Sequence, residues 1–416
     1  MGIAYRLALD IVNNLANTFG DSGCARVMLP LSPPTSHREK TMPPRLYVGT
    51  LQKAYHAQEN PSAFGIYRWD HDGEGWRGPA LTPTPQPGWL VISPCGGFLY
   101  AMNELREVDG VAGGAITAFA IHPRSGDLIE LNRRKTGGNP CHGAIDATGR
   151  YLLVSTFHGG MVEMFPLAPD GLLGEAVVVN RHQGSSLHPK RQTAPHPHGI
   201  AITPDNRLVL VPDLGTDRIE VYELDAVQGT LRHLPEAALV LPPLSGPRHA
   251  LISPSGQWAY IIAEMSAQIM VVAIETPHRL RLVQCIDLLP AQFSGLRSGG
   301  ELVWGDDGRF LYATTRSHGS SGMPDKPGVD GLYWLAIDQD SGLLTLAGSR
   351  PAHGLIPRDC AVADGGLWVA HQASSLLSWH PIDRATGALG AAEHVLETPV
   401  PACIIPCPAA KTPYQP

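Results

Sequence analysis

Apolar and polar positions along this chain fall into short runs that repeat, with no long amphipathic stretch dominating. One unit is an apolar run, a tight turn and a second apolar run: "LVISPCGGFLYAMNE" (90–104), "GAIDATGRYLLVST" (143–156) and "IAITPDNRLVLVPD" (200–213). It recurs as "ALISPSGQWAYIIAE" (250–264), "LVWGDDGRFLYATTR" (302–316) and "CAVADGGLWVAHQ" (360–372). Runs this short, bounded by Gly, Pro, Asn and Asp, predict β-strands. The turn residues Gly96, Gly149, Asn206, Gly256 and Gly308 lie about 50 to 57 residues apart, a spacing that marks a repeat architecture. Gly and Asn at that place suit a backbone with positive φ.

A second unit follows each of these, an alternating strand, a turn and another strand. The clear copies are "AITAFAIHPRSGDLIEL", "DRIEVYELDAVQGTLRHL", "GLYWLAIDQDSGLLTL" and "LLSWHPIDRATGALG". Weaker copies are "GIYRWDHDGEGW", "MVEMFPLAPDGLLG" and "IMVVAIETPHRLRLV", so seven second units face six complete first units. The missing first unit is divided between the ends, as "RLYVGT" (45–50) and "VPACIIP" (400–406). Four strands per repeat, seven times over, predict an all-β seven-bladed β-propeller with four antiparallel strands per blade. The C-terminal strand then completes the first blade and closes the ring, which leaves no sheet edge open. A pair of β-sandwiches or two barrels is the competing arrangement. Residues 1–41, with the linker-like "LPLSPPTSHREKTMPP", read as a disordered N-terminal extension, and 42–416 as the propeller domain.

With strands named a to d from the axis outward, the repeat places two sets of side chains on one rim. Before strand a stand Trp89, His142, His198, Arg248–His249, Glu301 and Arg358–Asp359. After strand b stand Asn103–Glu104, Asp213, Glu264, Arg316 and His371–Gln372. The longest loops, 181–199 and 316–331, fall on the same face. Propeller mouths take ligands where inner strand ends converge. A purely structural account is also open: Arg248 and Glu264 pair to lock blades, while Asp213 and Asp359 cap strand ends.

Composition narrows the field. Gly (45) and Pro (38) are abundant, as a turn-rich fold requires. A net charge of −7 excludes a nucleic-acid binder that works through bulk electrostatics. The seven Cys show no metal-binding spacing, which fits a reducing compartment, hence the cytoplasm. No apolar run reaches the ~20 residues that span a bilayer, so no membrane role is expected.

The stretches "GPRH" (246–249), "AYIIAE" (259–264), "LPAQFSGLRSGGELVWGDDGRFLYATTR" (289–316) and "RQTAPHPHG" (191–199) resemble the seven-bladed lactonase family across roughly 45–406. That family contains bacterial cycloisomerase-type 6-phosphogluconolactonases and the fungal carboxymuconate lactonizing enzyme. The resemblance implies a lactone-handling site with no metal and no cofactor, and His198, Arg248, Glu264 and Arg316 as catalytic residues. His142, Arg191, His249 and Arg358 are candidate substrate-binding neighbours. Two departures bear on the substrate, an extra loop at 317–331 and a bulky Trp89 at the mouth.

The expected reaction is hydrolysis of 6-phosphogluconolactone to 6-phosphogluconate, a step of the pentose phosphate pathway. It needs a base for water and positive charge for the oxyanion. Arg248 and Arg316 suit the second role. Glu264 or His198 suits the first, Glu264 being favoured if burial raises its pKa. No GxSxG nucleophile elbow is present. The expected partner is a small anionic lactone, with no nucleic acid and no membrane, and the chain a monomer or weak homo-oligomer. Three alternatives stand: a muconate-type lactonizing cycloisomerase, a non-catalytic ligand- or protein-binding propeller, and a metal-dependent gluconolactonase in which Glu104, Asp213 and Asn103 are ligands.

Overall fold

The computed structural model describes residues 44–52, 64–275, 278–317 and 328–407. These residues fold into seven four-stranded antiparallel sheets, with a short additional strand on one and a separate two-stranded hairpin at 107–112. Blade one joins Pro401–Cys407, Arg45–Thr50, Gly65–His71 and Trp76–Pro83, in that order from the axis. The C-terminal strand therefore closes the ring as expected, with Arg45 opposite Cys407 and Gly49 opposite Cys403. Inner strands of blades two to seven begin at Pro87, Pro140, Ala201, Pro247, Gly299 and Pro357.

Each b strand is sandwiched between neighbouring blades, so both of its faces are covered. Phe98–Asn103, Tyr151–Thr156 and Phe310–Thr315 are buried at every residue and read as continuous apolar runs rather than alternations. The outermost strands meet water, and Leu128–Thr136 is half-buried or exposed at every residue but the last. Cores lie between blades: Tyr260 and Ile262 of blade five pack with Leu302, Leu311 and Ala313 of blade six. The ring closure is packed the same way. Trp76 of blade one meets Trp368 of blade seven edge-on at 5.0 Å, and Trp69 Nε1 donates to Thr398 Oγ1 at 3.1 Å.

All five turn residues singled out by the repeat have positive φ, from 60° at Asn206 to 72° at Gly96. Three details differ from the expected pattern. The inner strand of blade four is only Ala201–Ile202. The outer strands of blades three and seven are Val178–Arg181 and His394–Glu397, several residues beyond the "GLLG" and "GALG" ends of their units. The expected extension at 1–41 lies outside the described residues, as does 318–327 of the long loop.

One irregularity recurs. In six sheets the pairing of inner and second strand slips at the rim: between Pro87 and Trp89, Pro140 and His142, Pro247 and His249, Gly299 and Leu302, Pro357 and Asp359, and at Gly49–Thr50 opposite Pro401–Cys403. Blade four keeps a related arrangement, with Pro197 bridged to Asp213 and His198 N donating to Pro212 O. A β-bulge adds one unpaired residue and re-aims its side chain. Here it does so at the mouth of the channel, in blade after blade.

Candidate active site

The bulges sort the rim residues into two levels. At the extra position stand Arg248, Arg358, Cys141, Gly88, Gly300 and Ala402, with His198 the equivalent in blade four. One residue deeper stand Trp89, His142, His249, Glu301, Asp359 and Cys403. Among the deeper set, Trp89 stacks on His142 at 4.2 Å, and His249 meets Trp89 at 5.2 Å and His142 at 4.6 Å. Blades two and five lie across the ring from each other, so the contact between Trp89 and His249 floors the channel. Trp89, expected at the mouth, lies in that floor, its Nε1 donating to Gly143 O.

Above the floor, Glu264 gathers arginines from separate parts of the chain. Arg191 Nη2 lies 2.8 Å from its Oε1, Arg316 Nη2 2.9 Å from its Oε2, and Arg248 Nε 3.6 Å from the same oxygen. Arg316 also donates from Nε and Nη2 to Gly299 O, and Arg248 from Nη1 to Gly300 O. Burial alone would raise the Glu264 pKa, but Arg191 and Arg316, with His198 and Arg248, hold it well below the ordinary carboxylate range. The condition on which Glu264 was favoured as base, a pKa raised by burial, is therefore not met. At neutral pH it is an anion that orders guanidinium groups.

The histidines behave oppositely. Burial, then the charge on Arg248, pushes His198 and His249 well below the ordinary imidazole range. His142 is lowered by burial and by His249, and its Nδ1 accepts from Ile200 N. All three are neutral bases near pH 7. His198 Nδ1 and His249 Nε2 are buried with no hydrogen-bond partner among the described residues.

A second carboxylate pairing crosses the gap left by Ala402. Arg358 Nη2 reaches Glu104 Oε1 at 3.4 Å. Gly88 makes room for it, since a Cβ there would stand 2.0 Å from Glu104 Oε1. Burial raises the pKa of Glu104, and burial with the charge of Glu301 raises that of Asp359. Asp359 also caps the closing strand, accepting from Ile404 N at 2.6 Å.

The loop 181–199 delivers Arg191 and His198, and Asp213 anchors it. Asp213 Oδ1 accepts from His196 N and Gly215 N, while Oδ2 lies 2.6 Å from His182 Nδ1, whose Nε2 lies 2.6 Å from Tyr222 Oη. Gln192 fastens the middle, donating to Leu214 O and accepting from His188 N. Arg191 itself lies over the Phe157 ring at 5.8 Å.

The structure thus brings His198, Arg248, Glu264 and Arg316 together, with Arg191 and His249 beside them. Arg358 sits on the blade-seven side against Glu104, and His142 belongs to the floor. His371, counted with the rim, instead turns into blade seven, 2.7 Å from Ser378 Oγ. Glu301 and Glu104 are the additions; their repeat positions matched those of His249 and Glu264. The metal alternative fails on its donors. Asn103 is engaged by Thr84, Pro85 and Thr117, Asp213 by the loop, and among the described residues no three His, Cys, Asp or Glu side chains are arranged to hold an ion. A cavity of about 1050 Å³ opens on the opposite face between Arg45, Phe310 and Gly365, remote from these groups; there Arg309 is paired with Asp307.

Comparison with known proteins agrees with this fold. The family model described as "Lactonase, 7-bladed beta-propeller" matches residues 45–406. A 6-phosphogluconolactonase of Bacillus subtilis is 28% identical over 86% of this chain and 97% of its own. One from Cronobacter sakazakii is 30% identical over 72% of this chain and 81% of its own. Among solved structures, the periplasmic gluconolactonase of Pseudomonas aeruginosa is 31% identical with a TM-score of 0.79, over 88% of this chain and 99% of that one.

Proposed function

This chain belongs to the seven-bladed β-propeller lactonase family, and on that footing we propose that its pocket hydrolyses the ring ester of an anionic sugar lactone, 6-phosphogluconolactone first among them. The observation that carries the reading is a set of buried polar atoms around Glu264 with no hydrogen-bond partner among the described residues: Arg191 Nη1, Arg248 Nε, His198 Nδ1 and His249 Nε2. Native proteins rarely leave such atoms unsatisfied unless a ligand or water completes them. Donors and acceptors are both in the set, as an ester carbonyl, an anionic group and a water would require.

The roles follow from charge. Arg248 and Arg316, fixed by Glu264 and by backbone carbonyls, stabilise the oxyanion that forms as water adds to the lactone carbonyl. Arg191 and Arg358 hold the substrate's anionic group by paired hydrogen bonds. A neutral histidine takes the proton from water, since Glu264 is too weak a base. His198, from its place in the family-like motif, and His249 beside it are the two candidates.

Among the described residues no helix is long and apolar enough to cross a membrane, and the six cysteines among them are free thiols. The cytoplasm is the compartment we propose, to be checked with a fusion reporter active on one side of the membrane only.

The test is turnover of freshly generated 6-phosphogluconolactone against the spontaneous rate, beside unphosphorylated gluconolactone and muconates. Preference for the phosphorylated lactone supports the reading. Faster turnover of the unphosphorylated sugar reassigns the substrate, and lactonisation of muconates alone reassigns the reaction.

A further inference from the structure

His249 and Glu301 form a pair that the four family-like site residues do not include. His249 Nδ1 lies 2.7 Å from Glu301 Oε2 and 2.9 Å from Oε1. Glu301 meanwhile accepts from Arg248 Nη1 at 3.2 Å and from Leu302 N at 3.0 Å. Arg248 Nη1, a donor, also lies 3.1 Å from Nδ1, but the two carboxylate oxygens are nearer and can only accept, so the proton sits on Nδ1 and the lone pair on Nε2. That Nε2 is buried and without a partner. The ring is held in place by Trp89, His142 and His198, whose centroids lie 5.2, 4.6 and 5.1 Å away.

We propose that His249, held through Nδ1–H by the Glu301 carboxylate, is the group whose Nε2 takes the proton from the attacking water. This rests on the lactonase reading and deepens it. Nε2 removes one proton as the water oxygen bonds to the carbonyl carbon, and the carbonyl electrons move onto oxygen beside the arginines. Collapse of that oxyanion breaks the bond from the carbonyl carbon to the ring oxygen, which receives the proton back from His249. The hydroxy acid formed then ionises to solvent. Glu301 acts through His249 and is a positioning residue: it sets the tautomer and favours the imidazolium that forms in the transition state.

Charged and titratable groups act on this ring from every side. Arg248 adjoins it on its own strand, and Arg316 and Arg358 add positive charge from blades six and seven. His142 and His198 face it from blades three and four, Glu264 from the end of the second strand of blade five, and Glu301 from blade six. Burial and the arginines keep it neutral at pH 7; Glu264 opposes them.

The test compares pH profiles of kcat and KM for wild type and Glu301→Gln. A base must be unprotonated, so kcat/KM falls as pH drops through its pKa. Removing the carboxylate disfavours the imidazolium, so the acid limb of Glu301→Gln is expected to move to lower pH. Its kcat is expected to fall about 100-fold with KM changed little. An unmoved limb with unchanged kcat overturns the proposal while leaving the lactonase reading intact; wild type inert towards every lactone sinks both. Should Glu301→Gln fail to fold, ¹⁵N NMR of histidine-labelled wild type decides. A neutral Nδ1–H tautomer at His249 supports the proposal, and an Nε2–H tautomer overturns it.

Discussion

Arg316, one residue past the second strand of blade six, places Nη2 2.9 Å from Oε2 of Glu264, which holds the equivalent position in blade five. Two adjacent copies of one repeat thus carry opposite charges to one point, and Arg248 and Arg191 join them there. Glu264 is the centre on which the cationic wall is built.

Glu264→Gln is expected to destabilise the fold by about 3 kcal/mol at pH 7, because it leaves buried guanidinium charge uncompensated. The carboxyl's folded pKa is depressed, so its contribution is present above the ordinary value of 4.5 and is lost as pH falls below it. Urea denaturation of wild type and variant at pH 7 and at pH 4 checks this: the difference should narrow at the lower pH. A difference that widened would contradict the assigned charge.

Arg316→Lys is expected to lose 100-fold or more in kcat/KM, about 3 kcal/mol of transition-state stabilisation. Arg316 donates from two nitrogens to Gly299 O while a third contact reaches Glu264, and a single ammonium cannot reproduce that fork. Steady-state kinetics on a folded variant is the measurement. Near-wild-type turnover would remove Arg316 from the oxyanion role.

Gly300→Ala tests the bulge of blade six. A Cβ there would stand 2.2 Å from Thr314 Oγ1 and 2.9 Å from Pro357 O, so the backbone that supplies a carbonyl to Arg248 must shift. A cost of about 1–3 kcal/mol is expected, with lowered kcat, read from thermal melts and kinetics together.

Asp213→Asn should loosen the loop that carries Arg191 and His198 while the blades persist. Hydrogen exchange is expected to quicken across 182–199, where His196 N now bonds to Asp213, and KM to rise several-fold. Faster exchange throughout the propeller would show that Asp213 supports the whole fold instead.

The architecture was largely legible in the chain. Repeated Gly and Asn turns gave the blades, and the unmatched halves at 45–50 and 400–406 gave the closure found between Arg45 and Cys407. Blade phase alone also placed Arg248, Glu264 and Arg316 on one rim. Depth along the channel was not legible, because the bulges shift His249 and Glu301 one step below Arg248 without leaving a mark in the hydrophobic pattern. The direction of the Glu264 pKa shift was not legible for a related reason. Its sign depends on how closely Arg191 approaches, and Arg191 comes from a loop outside the repeat.

The recurring slip in strand pairing also bears on how such a protein changes what it acts upon. Six sheets offer one residue that the ladder does not need, and these run from Gly88 and Ala402 to Arg248 and Arg358. Where the neighbours leave room, unlike Gly88 and Gly300, a residue there can be exchanged without rewriting the cross-strand register. A new reagent specificity can therefore arise by local replacement while the framework stays constant.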